Sequence, residues 1–320
     1  MISRRQSLVA VGALALAAPA VRAPSAHAQG TTVRMGSLKL IHSIAPSFYE
    51  RFMPEGTKVE VIPFESPTEG KNAVVTGSVD FGAYGIAAAI LGAAAREPVV
   101  VVGACCEKGM AIIGQAKEAL GKITDLRGKR VGIWPGSTQE VFFLERLRME
   151  GMTIKDVEPV RVSFSEMPIM LARGDVDAYV GAEPGPSASL VSGAGTVVEY
   201  PYSTPMGPLN MVFTAAAETV RTKPDLVRTM LKVHRSASEY AMAHPDELIA
   251  MAVSKLGMKR DALEISVKNV DLTWRMTPEM VGQAHAYADQ MLSLKQIRAK
   301  PDFATFFDTS FSDALARGTA

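Results

Sequence analysis

Gly136-Ser137-Thr138 stands between an apolar run, Val131 to Trp134, and a segment in which Val141, Leu144 and Leu147 recur at spacings of three. That pattern predicts a short strand, a turn and an amphipathic helix, with the three small residues at the helix N-terminus. Such an end carries unpaired backbone N–H groups and about half a unit of positive charge. Ser137 and Thr138 can cap those groups, or they can turn hydroxyls toward an anionic or polar ligand. Trp134, just before the turn, can stack on a flat ligand or fill a core.

Other reactive side chains are sparse. Cys105 and Cys106 are adjacent, which fits neither a spaced disulfide framework nor a metal site. Two free thiols at a strand end is the plainer reading, and a vicinal disulfide the alternative. The histidines are scattered, and no Lys follows Gly136 as a phosphate-binding loop requires. No nucleophile and base stand at a recognisable spacing, and neither a metal nor a cofactor is expected. Asp80 and Asp177 lie in turn-forming contexts and read as local hydrogen-bonding residues. His42, early in a helix-like stretch, and Tyr84, at a strand end, are candidates to face a ligand.

The N-terminus is an export signal. Arg4 and Arg5 precede an apolar run from Leu8 to Ala18, and Ala26-His27-Ala28 is a small-x-small cleavage site. The run is shorter than the roughly 20 residues of a spanning helix. Ser3-Arg4-Arg5 followed by Leu8 resembles a twin-arginine signal, with Ser7 departing from the usual Phe. No Cys near the cleavage point suggests a lipoprotein. Without residues 1–28 the chain has 292 residues and loses Arg4, Arg5 and Arg22, so 31 Lys+Arg stand against 33 Asp+Glu, a net charge of −2. That balance excludes an electrostatic case for nucleic acid or an anionic membrane surface. The other long apolar region, Gly85 to Ala104, is broken by Arg96-Glu97-Pro98 and reads as a helix followed by a buried strand.

Strand and helix patterns alternate, which predicts α/β units with parallel strands, and they do so twice. Thr32 to Ser37, Lys58 to Phe64 and Gly77 to Tyr84 form one series; Arg130 to Ser137, Val157 to Phe164 and Gly174 to Gly181 form another. Gly36-Ser37 and Gly136-Ser137 recur 100 positions apart, and Asp80 and Asp177 recur 97 apart. Two similar Rossmann-like lobes would leave a crevice beyond the strand ends, where open α/β sheets bind ligands. Ser37, Gly85 and Ser137 would line it. Tyr200 to Thr214 reads as a return from the second lobe to the first, and Pro224 to Glu247 and Thr277 to Leu294 as long amphipathic helices.

The order of the export signal, "TGSVDFGAYG", "VGIWPGST", "GDVDAYVGAEP", "AMAHPDE", "LTWRMTPEMV" and "PDFATFFDTSF" resembles the periplasmic solute-binding proteins of ABC importers. Within them it is similar to the nitrate, sulfonate and taurine group and to its relatives for thiamine-pyrimidine precursors. The resemblance implies an α/β fold of two lobes joined by crossover strands, the type II periplasmic binding protein fold. Lobe 1 would comprise 31–104 plus 211–320, and lobe 2 108–203. It implies a periplasmic monomer with no enzymatic activity that captures a small-molecule ligand and presents it to a membrane permease. It places Tyr84 and Gly85, then Gly136, Ser137 and Thr138, and the acidic Glu183 before Pro184, at the cleft. Gly185 departs from the family pattern, where many relatives carry an aromatic, and no dedicated Arg or Lys for a small anion stands out. Pyrimidine-precursor synthases and a menaquinone-pathway dehydratase resemble the same scaffold, so an enzyme is the competing reading.

Maturation is expected between Ala28 and Gln29. Intact-mass analysis of exported protein should show a chain starting at Gln29, and changing Arg4 and Arg5 together to Lys should block export; an uncleaved cytoplasmic product would contradict the assignment.

Overall fold

The computed structural model describes residues 31–319, so the export segment and its cleavage site lie outside the described residues. The chain opens with β1 (Thr31–Leu38), β2 (Thr57–Phe64), α1 (Pro67–Val75), β3 (Phe81–Gly85), α2 (Ile86–Ala94) and β4 (Val99–Lys108). A second series comes next: β5 (Met110–Gln115), β6 (Arg130–Ile133), α3 (Thr138–Met149), β7 (Glu158–Arg161), α4 (Met167–Arg173), β8 (Ala178–Ala182), α5 (Gly185–Val191) and β9 (Gly195–Glu199). β10 (Leu209–Ala216) returns to the first series. The chain then continues through α6 (Ala217–Thr222), α7 (Pro224–Ala243), α8 (Pro245–Leu256), α9 (Arg260–Ser266), β11 (Val270–Leu272), α10 (Pro278–Ser293), α11 (Phe303–Phe306) and α12 (Ser310–Ala316). The long segment from Pro224 is two helices rather than one. Pro245 has no N–H to continue α7 and instead starts α8, after His244 leaves the helical conformation.

The strands form two sheets, ordered β2-β1-β3-β10-β4-β11 and β7-β6-β8-β5-β9. Both are mixed, where the alternation of elements predicts parallel strands. In each, three strands run parallel, and a crossover strand, β10 or β5, joins the third antiparallel. The chain changes sheets between Lys108 and Met110 and again between Glu199 and Leu209. A strand that arrives directly from the other sheet, with no helical crossover, can pair antiparallel; a parallel neighbour needs a longer return.

The duplication extends to single hydrogen bonds. Asp80 N–H donates to Arg34 O (2.9 Å) while Arg34 N–H donates to the Asp80 carboxylate (2.8 Å). Asp177 and Arg130 repeat that exchange at 2.8 Å both ways. The Arg34 guanidinium reaches Gly77 O at 2.9 Å, and that of Arg130 reaches Gly174 O at 2.7 Å. These contacts correct the sequence alignment of the lobes. Gly36 pairs with Gly82 inside β1, and its counterpart is Gly132, which pairs with Tyr179. Gly36-Ser37 is therefore not a second copy of Gly136-Ser137. Beyond β1 the chain makes a pair of 3-10 turns, Ile41–Ser43 and Ala45–Arg51, with no side-chain cap.

One face of the second sheet has its own core, with Val131, Ile133, Phe143, Leu147 and Val180. The other face carries Ile113, Val141, Phe142, Phe164, Leu171 and Tyr179 into the same apolar cluster as the first sheet. Phe142 of α3 packs edge-on against Tyr287 of α10 at 5.4 Å between ring centroids. The lobes thus share an apolar seam. Cys105 and Cys106 are free and buried in β4.

Two histidines are locked inside. Nε2 of His234 lies 2.9 Å from Ala104 O, so it must donate, leaving Nδ1 to accept from the Tyr49 hydroxyl at 2.8 Å. Burial pushes both His42 and His234 down to about 4. Their contribution to stability is complete above the ordinary value of 6.5 and is lost as pH falls toward about 4. Asp177, which Arg130 holds below its ordinary 3.8, adds a further loss at still lower pH. The melting temperature should therefore begin to fall below pH 6.5, with His234→Phe flattening the upper part of the slope; a curve level down to pH 4 would refute this. Asp177→Ala at neutral pH should cost about 1.5–3 kcal/mol in denaturant unfolding, as expected for hydrogen bonds to a charged group.

Candidate functional site

The link between the sheets on one side is a single residue, Gly109, at φ +74°. Its carbonyl accepts from the backbone N–H of Glu183 (2.9 Å) and from Nε2 of His42 (3.0 Å). A β-carbon on Gly109 would come within 2.1 Å of His42 Nε2, so both the conformation and the contact require glycine. On the other link, the Tyr202 hydroxyl accepts from Met110 N–H (2.6 Å) and donates to Met110 O (2.9 Å). Asn210 Nδ2 donates to Lys108 O at 2.7 Å. The crossovers are thus tied to each other and to the strands they join.

Beyond the strand ends the lobes meet. Ser137 is the N-cap of α3, its hydroxyl accepting from Glu140 N–H at 3.1 Å. Thr138, buried, is pressed against Gly85, the N-cap residue of α2. A β-carbon at Gly85 would fall 2.6 Å from Thr138 Oγ1, so this helix-end contact between lobes exists because Gly85 has no side chain. The Thr138 hydroxyl also lies 3.4 Å from Asn210 O. Gly136 N–H donates to the Glu140 carboxylate (2.7 Å), which also accepts from Gln296 Nε2 (3.0 Å) across the lobes. Burial pushes the Glu140 carboxyl up, partly opposed by the Gly136 N–H.

Glu183 is almost wholly buried. Its carboxylate accepts from Asn269 Nδ2 (2.7 Å), Ser266 Oγ (3.0 Å) and Ser187 N–H (3.2 Å). Ser266 and Asn269 belong to the α9 region, on the first-sheet side, so this carboxylate bridges the lobes. It is engaged by protein donors rather than by an open cavity.

The cleft cavity lies beside it. A space of about 310 Å³ is walled on one side by Leu38, Lys39, Leu40 and Glu65, which come at the ends of β1 and β2, together with Leu256 and Met258. On the other side it is walled by Phe164, Ser165, Pro168, Ala182, Pro184 and Gly185. Apart from Leu256 and Met258 at the end of α8 and Pro168 in α4, these positions are the carboxyl ends of parallel strands and the segments after them, where ligands of open α/β sheets sit. A separate, more open space of about 580 Å³ lies between Phe64, Ser66, Thr68 and Asn72 on one lobe and Trp134, Pro135 and Arg161 on the other. The Arg161 guanidinium stands 5.2 Å from the Trp134 ring centre.

The structure thus distributes the sequence candidates unevenly. Gly85, Gly136, Ser137 and Thr138 come together where the helix ends meet, Trp134 faces the open part of the cleft, and Glu183 lies behind the cavity wall. Three candidates lie elsewhere. Tyr84 is fully buried in the core of the first sheet. Ser37, near the end of β1, donates to Ser43 O at 2.7 Å and lines a separate space of about 340 Å³ on the first lobe, next to the cleft cavity. His42 is buried under Gly109, because its imidazole fills the space that glycine leaves. Sequence reading missed Lys39, Glu65, Phe164 and Arg161. Their signal was positional, each standing at or just after the end of a parallel strand. Among the described residues no cluster of His, Cys, Asp or Glu could hold a metal, and no helix is long and apolar enough to cross a membrane.

Comparison with known proteins fits this geometry. A family model described as NMT1/THI5 like matches residues 50–248. The chain is 24% identical over 254 residues to a protein of Escherichia coli (strain K12) named for binding aliphatic sulfonates, covering 78% of this chain and 79% of that one. Its fold matches the alkanesulfonate-binding protein SsuA from Xanthomonas axonopodis pv. citri bound to MOPS, with a TM-score of 0.78 at 20% identity over 88% of this chain and 99% of that one. The desulfurization enzyme DSZB shares the fold at a TM-score of 0.69 and 15% identity, over 90% of this chain and 99% of that one. With a family match across more than half its length and two mixed sheets joined by crossover strands, the chain belongs to the NMT1/THI5-like family, on the type II periplasmic binding protein fold.

Proposed function

We propose that this protein is the exported solute-binding component of an ABC importer, acting as a monomer in the periplasm. It captures a small organic or anionic solute between lobes bounded at 31–104 plus 211–320 and at 108–203, and hands it to a membrane permease. The observation that carries the reading is the 310 Å³ cavity built half from each lobe, at the ends of parallel strands. A solute touching both walls would favour the closed arrangement by its differential affinity, and the two crossovers at Gly109 and 200–208 are where the lobes would rotate. The sulfonate-binding names among the relatives and the export signal support the same role.

An enzyme on this scaffold is the second reading, favoured by the likeness to DSZB. The two thiols of this chain are poorly placed for it. Both lie buried in β4, and burial pushes each well above its ordinary value, away from the thiolate a nucleophile needs.

A ligand of the mature chain should raise its melting temperature, with roughly 2.7 kcal/mol of added stability at a hundredfold excess over Kd. The same ligand should be recovered chemically unchanged after prolonged incubation. Recovery of an altered compound would replace this reading with the enzymatic one. Glu183→Ala, which removes the acceptor for Ser266 and Asn269, should widen the ligand-free particle in small-angle scattering and weaken binding on the order of tenfold, about 1.4 kcal/mol. Unchanged scattering and affinity would show that this bridge does not hold the lobes together.

A further inference from the structure

The crossovers are fastened to each other on both sides of the junction between the sheets. Resting on the binding reading above, we propose that Tyr202 is the positioning residue that confines lobe rotation to Gly109 and residues 203–207. Its hydroxyl clasps the two crossovers together, so that they turn as one hinge.

Two sets of hydrogen bonds bound that hinge. On the first-sheet side, Lys108 N–H donates to Pro208 O and Asn210 Nδ2 donates to Lys108 O, both at 2.7 Å. On the second-sheet side, Tyr202 takes both backbone polar groups of Met110, accepting from its N–H at 2.6 Å and donating to its carbonyl at 2.9 Å. One crossover has only Gly109 between these fastenings, a residue whose missing β-carbon frees its two dihedrals. The other has 203–207, where Gly207 N–H donates to Thr204 O (3.0 Å) and Met206 N–H to Thr204 Oγ1 (3.3 Å), both within the segment. The hydrogen bond from His42 to Gly109 O lies at the pivot itself, where rotation displaces it least.

A side chain takes this role because the backbone cannot. β9 pairs with β5 as far as Glu199 opposite Ile112, and two residues further the same register would set Pro201 opposite Met110. Proline has no N–H to offer, and the chain leaves the sheet there. A phenol is both donor and acceptor, so one oxygen replaces the missing rung and keeps the buried Met110 from carrying unpaired groups. The Tyr202 ring is held in turn, packing edge-on against Phe142 at 6.5 Å between centroids. Without the hydroxyl, 200–202 can peel away from β5, and the free part of the second crossover grows from 203–207 to 200–207.

Spin labels at Lys58→Cys on β2 and Glu158→Cys on β7 test this. Both positions are exposed and stand on the sheet edges farthest from the crossovers, where rotation moves them most, and the native cysteines are buried. In the ligand-free mature chain, Tyr202→Phe should broaden the interlobe distance distribution and raise the population of long distances severalfold. Tyr287→Phe is the control, since its hydroxyl, bonded to Leu209 O at 2.6 Å, joins α10 to β10 on the first-sheet side alone. It should lower the melting temperature without moving the distribution. Should Tyr202→Phe not fold, 4-aminophenylalanine at position 202, which keeps a donor for Met110 O but is a poor acceptor for its N–H, should give an intermediate broadening. An unchanged distribution in the position-202 variants, or equal broadening by Tyr287→Phe, overturns the clasp. If compounds of a metabolite library still shift the distribution in that case, the clasp alone falls and the binding reading stands. A single narrow distance, indifferent to the position-202 variants and to every compound, overturns the two together.

Discussion

The arrangement depends on one carbonyl. Gly109 O accepts from His42, beside the first sheet, and from the backbone of Glu183, at the end of a strand in the second. Because Gly109 alone joins β4 to β5, its geometry fixes how the second sheet leaves the first. The positive φ turns the chain without a loop, and the buried imidazole fills the volume that a side chain would need. The carbonyl requires a donor, so His42 carries its proton on Nε2, and burial keeps it neutral.

From that junction the two lobes are built on one plan and then made unequal. Arg34 with Asp80, and Arg130 with Asp177, fasten the first strand of each lobe to the turn before the third, by the same hydrogen bonds. Once those turns are set, the carboxyl ends of the parallel strands face the same crevice. The inequality comes after the first strand. In the second lobe a capped helix begins beyond Ser137, and in the first a tight pair of 3-10 turns lets Lys39 and Leu40 line the cavity.

The lobes touch through three kinds of contact. An apolar seam runs along Phe142 and Tyr287, two helix ends press together at Gly85 and Thr138, and two carboxylates, the buried Glu183 and the half-buried Glu140, bridge the lobes. The seam is non-directional and tolerates sliding, whereas the carboxylates demand particular donors. Polar bridges placed on an apolar seam select one closed geometry out of many compact ones.

Sequence alone determined the alternation of strands and helices, its repetition, and the capped turn at Ser137, because periodicity and capping are local properties of neighbouring residues. It also fixed the balance of charge and the adjacency of the two cysteines. It placed Asp80 and Asp177 in turns but read their hydrogen bonds as local, whereas their carboxylates bond Arg34 and Arg130, 46 and 47 positions away; it also set Gly36 opposite Gly136, since a Gly-Ser pair looks alike inside a strand and beyond its end. Tertiary structure decided the rest. The antiparallel crossovers arise from which sheet each strand joins, and His42, Tyr84 and Glu183 went to their partners because Gly109, Gly70 and Asn269 stand beside them only in the folded chain. The meeting of Lys39, Glu65 and Phe164 around one cavity joins segments more than 90 positions apart, a proximity that no local pattern encodes.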